Sequence, residues 1–159
     1  QERYFVLHAP RQTGKTSALL EMMERINSEG RYDCLYVNIE ASQADRDDAI
    51  EGAKTICSVI ANSASYYLGN ESLREWINNN PKITKDTVGS MIQYWARNNP
   101  KPIVLFIDEV DALVGDNLIS LLRQIRSGYN QRPLAFPQSI ILCGVRDIRD
   151  YRIHTRHNE

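Results

Sequence analysis

The sequence predicts an α/β protein in which helices cover both faces of a mostly parallel sheet, a three-layer α/β/α sandwich. Two observations predict this fold class. Four short apolar runs lack the polar alternation of half-exposed strands, and amphipathic segments with helical spacing separate them. Strands that alternate with helices form parallel sheets, and a length of 159 residues suits one domain, expected over residues 1–159.

The first strand is predicted at residues 4–8, "YFVLH", and the second at 34–40, "CLYVNIE". A helix is expected between them, because apolar residues recur at helical spacing from Ala18 to Ile26 and Gly30 follows as a typical C-terminal residue. The second strand precedes a long helix, predicted from about residue 45 to residue 68.

The remaining elements follow the same alternation. Ser72 and Glu75 have the spacing of a capping box and predict a short helix. Apolar spacing predicts two further helices, and continuous apolar runs predict two further strands. These helices lie around residues 88–96 and 118–125, and the strands begin at Ile103 and Ser139. The polar segment after Gly144 predicts no further element, so we expect a truncated core from a longer multidomain chain.

Between the first strand and the first helix, "HAPRQTGKTSALL" nearly matches the phosphate-binding pattern G-x-x-x-x-G-K-[ST]. Ala9 replaces the first glycine. Pro10 favours extended geometry at Ala9, which an alanine can adopt, so we interpret the substitution as tolerable. The predicted nucleotide-binding residues are Ala9, Pro10, Arg11, Gln12, Thr13, Gly14, Lys15, Thr16 and Ser17.

Each position in this loop has a chemical role. Gly14 lets the backbone approach a phosphate, and the helix that follows offers free N–H groups and a positive dipole end. Lys15 is expected to reach the β- and γ-phosphates as a catalytic charge, and Thr16 to offer its hydroxyl to Mg²⁺. The order strand, loop, helix agrees with this prediction.

The apolar run "IVLFIDE" ends in two carboxylates. At the C-terminal end of a buried strand, Asp108 is well placed to meet Mg²⁺ held by the phosphate loop. The adjacent Glu109 is the candidate that orients and polarises an attacking water. By itself this pattern also fits a strand that ends in solvent, and the loop at Lys15 favours the functional interpretation.

The segments "HAPRQTGKTSALL", "LFIDEVDAL" and "LCGVRDIRDY" resemble the P-loop NTPases of the additional-strand, catalytic-glutamate division. Within that division they are similar to archaeal-type and STAND-like ATPases, relatives of the AAA-type ATPases. The resemblance implies the strand order 2-3-4-1, in which the strand from Ser139 lies between the two motif strands.

The resemblance also implies two less specific site residues. Arg146, after the strand from Ser139, is the candidate sensor of the γ-phosphate, with Asp147 second; a solvated charged turn is the alternative. Asn38 is the candidate switch that holds Glu109 away from water until a partner binds. The alternative for Asn38 is a residue that caps the turn at the strand end.

Composition restricts the partners. A net charge of −1 gives no support for nucleic-acid binding through bulk charge, and a local basic patch is the alternative. For a nucleic-acid-remodelling ATPase, the DNA contacts are expected outside this chain. No apolar run approaches the ~20 residues of a membrane span. The three cysteines, Cys34, Cys57 and Cys143, lack metal-ligand spacing and suggest reduced thiols in the cytoplasm.

ATP is favoured over GTP, because the guanine-selecting pattern N-K-x-D is absent from the sequence. No arginine that acts on a neighbouring site can be named, so self-association or a partner protein is expected to supply one. Three functions follow: an ATPase that acts as a conformational switch, a nucleotide-dependent binding module with negligible turnover, and a nucleic-acid-remodelling ATPase. A P-loop kinase is less favoured, because adjacent Asp and Glu residues suit water activation.

Overall fold

The computed structural model describes residues 14–45 and 48–144, and the backbone of residues 5–8. In this part of the chain, four parallel strands form one sheet in the order β1-β4-β3-β2. They are β1 (Phe5–His8), β2 (Asp33–Asn38), β3 (Ile103–Asp108) and β4 (Ser139–Gly144). The order predicted from the resemblance, 2-3-4-1, is the same arrangement viewed from the opposite edge, and it is confirmed.

The parallel register brings the carboxyl ends of the strands to one edge of the sheet. Asn38 lies opposite Asp108, and His8 lies opposite Gly144. The strands that precede the two predicted motifs therefore end on the same side, with β4 between them. Ligands of open α/β sheets bind at this edge.

The described helices are α1 (Lys15–Glu29), α2 (Ala49–Leu68), α3 (Ser72–Asn79), α4 (Thr87–Asn98) and α5 (Gly115–Gly128). Short 3₁₀ turns at Glu40–Asp45, Val110–Ala112 and Tyr129–Gln131 connect some of them. None of these helices is long and apolar enough to cross a membrane.

Alternate side chains of the sheet enter two hydrophobic clusters, which confirms the three-layer sandwich. Leu19 and Met23 of α1 pack with Cys34, Tyr36 and Phe106 on one face. On the opposite face a larger cluster combines side chains of α2, α3, α4 and α5 with Leu35, Val37, Leu105 and Ile107. Successive strand residues point to opposite faces, so even-numbered positions of β2 and β3 face α1.

Two helix ends match their sequence signals and two starts differ. Gly30 and Gly69 follow α1 and α2 with φ of 75° and 63°, as helix-terminating glycines do. Helix α2 begins at Ala49 instead of near residue 45, because Asp48 caps it by accepting hydrogen bonds from two backbone N–H groups. The predicted capping box is wrong, since Ser72 already lies in α3 and its hydroxyl bonds to Asn70 Oδ1.

The three cysteines are buried free thiols, as expected. Burial raises the pKa of Cys34 and of Cys57 to about 12. These thiols therefore stay protonated at neutral pH and pack as small apolar groups.

Candidate functional site

Gly14 directs the chain into α1. Its φ of 79° is in the left-handed region, which residues with a Cβ rarely adopt, although a Cβ added there would meet nothing within 4 Å. The backbone conformation, and not the available space, therefore favours glycine at this position. Lys15 and Thr16 follow directly as the first residues of α1, where backbone N–H groups lack helical partners.

Asp108 is the centre of the site. Its side chain is 0% exposed, and each carboxylate oxygen faces two donors. Oδ2 accepts hydrogen bonds from the Tyr36 hydroxyl at 2.7 Å and the Thr16 hydroxyl at 3.1 Å. Oδ1 accepts one from the Glu109 backbone N–H at 2.9 Å and lies 3.0 Å from Lys15 Nζ. Together these donors use the roughly four acceptor positions of a carboxylate.

Lys15 joins both carboxylates at the end of β3. Besides its contact with Asp108, its Nζ lies 3.6 Å from Glu109 Oε1. Burial alone lowers the pKa of Lys15, but the hydrogen bond and charge of Asp108, with the charge of Glu109, raise it above its usual value. Lys15 is therefore a fixed positive charge at this edge of the sheet.

Tyr36 is a site residue that sequence reasoning missed. Burial, followed by the hydrogen bond and charge of Asp108, raises the pKa of its hydroxyl well above the usual range. The phenol therefore stays protonated and donates a hydrogen bond to Asp108. Strand alternation is the sequence signal that could have identified Tyr36. Tyr36 lies two residues before Asn38, on the face of β2 that also carries Cys34.

Glu109 has an unusual backbone. Its φ of 58° and ψ of 40° make it the one non-glycine residue with positive φ in the described ranges. Such conformations are uncommon for residues with a side chain and cluster at functional sites. The chain turns here from β3 into the 3₁₀ turn Val110–Ala112, as the Ala112 N–H donates to the Glu109 carbonyl.

Asn38 ends β2 beside Asp108, and its side chain is exposed. Its Oδ1 accepts a hydrogen bond from the Glu40 backbone N–H at 2.9 Å. This contact is the turn cap of the alternative interpretation. The role of Asn38 as a switch for Glu109 stays a prediction.

The remaining predicted residues are Ser17 and several that fall outside the described ranges. Ser17 is exposed in the first turn of α1. The loop from Ala9 to Thr13, the sensor candidate Arg146 and its alternative Asp147 lie outside the described residues.

A family model described as an AAA domain matches residues 1–151. The chain belongs to this family. An AAA domain is a nucleotide-binding P-loop ATPase module, which agrees with the predicted superfamily.

The crystal structure of Cdc6p from Pyrobaculum aerophilum is similar to this structure, with a TM-score of 0.50 and 17% sequence identity over 89% of this chain. The match covers 32% of the Cdc6p chain, so this chain spans about a third of that length, and the likeness concerns the fold. No curated protein sequence matches.

Proposed function

We propose that this AAA domain binds ATP with Mg²⁺ and hydrolyses it as a conformational switch in a larger protein, of the archaeal or STAND-like type. The observation that carries the proposal is the cluster around Asp108. Lys15 and Thr16, from the start of α1, contact a buried carboxylate at the end of β3. A charge for phosphates, a hydroxyl and an acidic metal ligand are therefore adjacent.

The donor set fits Mg²⁺. Mg²⁺ prefers oxygen ligands and is commonly held by one or two carboxylates together with substrate phosphates. Thr16 and Asp108 would hold the ion through their side-chain oxygens, which lie 3.1 Å apart in the hydrogen bond between them. The ion supplies positive charge that neutralises the β- and γ-phosphate oxygens.

Lys15 has two sets of anionic partners in this proposal. In the structure it pairs with Asp108 and Glu109, and bound nucleotide offers it phosphate oxygens instead. A move of Nζ to the phosphates releases Glu109 from its contact at 3.6 Å. Glu109 is then available to orient and polarise water for in-line attack.

Residues outside the described ranges complete the proposed site. The loop from Ala9 to Thr13 contributes backbone N–H groups to the phosphates. Arg146 reads the γ-phosphate through a charge-assisted contact. A second copy or a partner protein supplies a further arginine, as P-loop NTPases receive from a neighbour.

Lys15→Ala tests the proposal. Binding of a slowly hydrolysed ATP analogue with Mg²⁺, measured by titration calorimetry, is expected to weaken at least tenfold, about 1.4 kcal/mol, because the variant loses the charge that meets the phosphates. Lys54→Ala is the matched control, since Lys54 is exposed on α2. Equal affinity of wild type, Lys15→Ala and Lys54→Ala contradicts the assignment of this nucleotide site.

A further inference from the structure

The Tyr36 hydroxyl and the Glu109 backbone N–H differ from the other two donors to Asp108, because neither has a proposed new partner when nucleotide binds. Lys15 is proposed to turn to phosphate oxygens, and Thr16 to share its hydroxyl oxygen with the metal. Neither the phosphates nor Mg²⁺ has a proposed use for the Tyr36 hydroxyl or the Glu109 backbone N–H. These two donors therefore remain on the carboxylate in both states.

The two remaining donors act on different oxygens of Asp108. The Glu109 N–H bonds to Oδ1 at 2.9 Å, and the Tyr36 hydroxyl bonds to Oδ2 at 2.7 Å. One donor on each oxygen fixes the plane of the carboxylate as well as its position. Oδ2 is also the oxygen that accepts a hydrogen bond from Thr16, so Tyr36 acts directly on the carboxylate oxygen that would hold the metal together with Thr16.

The position of Tyr36 is itself well fixed. Tyr36 is 6% exposed, and its ring packs in the cluster that α1 forms with β2, β3 and β4. Its backbone N–H lies 3.3 Å from the Met23 sulfur of α1. The phenol therefore reaches Asp108 from a packed strand, whereas Thr16 belongs to an exposed helix start.

We propose that Tyr36 is a positioning residue, which holds Asp108 Oδ2 in the orientation that accepts Mg²⁺ together with Thr16. This inference rests on the proposed function and adds a residue to its metal site. Hydrogen-bond partners of metal-ligating carboxylates typically contribute 10- to 100-fold in metal affinity or activity.

Tyr36→Phe removes the hydroxyl and keeps the ring. With a fluorescent, slowly hydrolysed ATP analogue at a fixed concentration, the Mg²⁺ concentration at half-maximal binding is expected to rise about tenfold. Affinity for the analogue in EDTA is expected to change by less than about twofold, because Lys15 and the loop do not depend on the metal. Because the analogue binds only the folded state, it also stabilises Tyr36→Phe against unfolding during the titration.

Tyr32→Phe is the matched control, since Tyr32 is half-buried beside the same cluster and makes no described contact with Asp108. A double-mutant cycle with Asp108→Asn tests whether Tyr36 acts through Asp108. The double variant is expected to have the same Mg²⁺ midpoint as Asp108→Asn alone. A purely structural contribution of Tyr36 would instead add to the loss.

Each contrary outcome has a separate meaning. If wild type binds the analogue and Tyr36→Phe keeps the Mg²⁺ midpoint of Tyr32→Phe, the positioning role is overturned and the proposed function stands. Equal losses with Mg²⁺ and in EDTA also overturn the positioning role, because they assign Tyr36 to the fold alone. If wild type fails to bind the analogue, both proposals fall.

Discussion

At the scale of single residues, Glu109 combines a reactive side chain with a backbone conformation that glycine adopts more easily. Left-handed φ at a non-glycine residue persists only where the surrounding structure enforces it. Two hydrogen bonds hold the backbone of Glu109 in this conformation. The Glu109 N–H donates to Asp108 Oδ1, and the Glu109 carbonyl accepts from the Ala112 N–H. The turn thereby places a second carboxylate directly after the buried one.

Glu109→Gln is expected to separate nucleotide binding from hydrolysis. The amide keeps the size of the side chain and loses the charge that polarises water, so phosphate release should fall by at least about 100-fold. Binding of the ATP analogue should persist, because Lys15 and Thr16 are unchanged. Phosphate release and calorimetric affinity are measured on the same preparations.

The exposed Glu75 of α3 provides the control variant, Glu75→Gln, which should behave as wild type. Undiminished phosphate release by Glu109→Gln, in an assay where Lys15→Ala is inactive, would remove Glu109 from the mechanism.

Sequence motifs indicated part of this residue-scale arrangement and missed Tyr36, and the chemical roles of the predicted residues stay predictions. The spacing of the phosphate loop and the acidic strand end indicated that Thr16, Lys15 and Asp108 would lie together, and their side chains are in contact. Tyrosine within an apolar run is an ordinary strand residue. Tyr36 and Asp108 are 72 positions apart along the chain, and their contact depends on the pairing of β2 with β3, which no local pattern encodes.

At the scale of elements, the strand and helix order was predictable because apolar periodicity records which face is buried. The capping of α4 was not. Asp86 provides no side-chain cap, and the Gly89 N–H donates instead to Gln124 Oε1 at 2.7 Å. Gln124 Nε2 donates in turn to the Lys85 carbonyl. The side chain of Gln124 in α5 thus caps the start of α4. Local capping rules cannot predict this contact, because the residues that make it are far apart along the chain.

The C-terminal end of α5 gives a prediction at the same scale. A Cβ at Gly128 would lie 2.3 Å from ring atoms of Phe136, which is 1% exposed. The backbone of Gly128, with φ of −78°, suits alanine, and in a helix interior alanine is favoured over glycine by up to about 1 kcal/mol. Overpacking a core costs about 1–3 kcal/mol, so Gly128→Ala should destabilise the protein by about 1 kcal/mol or more.

Urea unfolding of Gly128→Ala measures this change in the free energy of unfolding. Ser127→Ala is the neighbouring control, because Ser127 is exposed and the change adds no atoms to the core. In a double variant, Phe136→Leu should relieve part of the clash, so the two effects should not add. A stability equal to or above wild type in Gly128→Ala would show that the ring moves aside at little cost.

At the scale of the whole molecule, the cluster around Asp108 connects the layer that contains α1 to the sheet. It joins the first turn of α1 to the ends of β2 and β3, whose opposite faces support the larger cluster of helices. Loss or exchange of one contact at this point therefore alters the interaction of α1 with the sheet. A ligand that replaces the contacts of Lys15 should stabilise the domain as a unit.

The Mg²⁺ complex of the ATP analogue is accordingly expected to raise the midpoint temperature of unfolding. A ligand at about 100 times its Kd that binds only the folded state adds about 2.7 kcal/mol. For a domain of 150–250 residues, each kcal/mol moves the midpoint by about 2–4 °C, which predicts a rise of about 5–10 °C. In Lys15→Ala a tenfold weaker affinity leaves about 1.4 kcal/mol at the same analogue concentration, so the rise, measured from that variant's own ligand-free midpoint, should fall to about half of the wild-type rise or less. Calorimetric scans of Lys54→Ala should reproduce the wild-type rise. An equal rise in Lys15→Ala would place the stabilising ligand elsewhere on the molecule, since Lys15 is proposed to supply charge to the phosphates at this site.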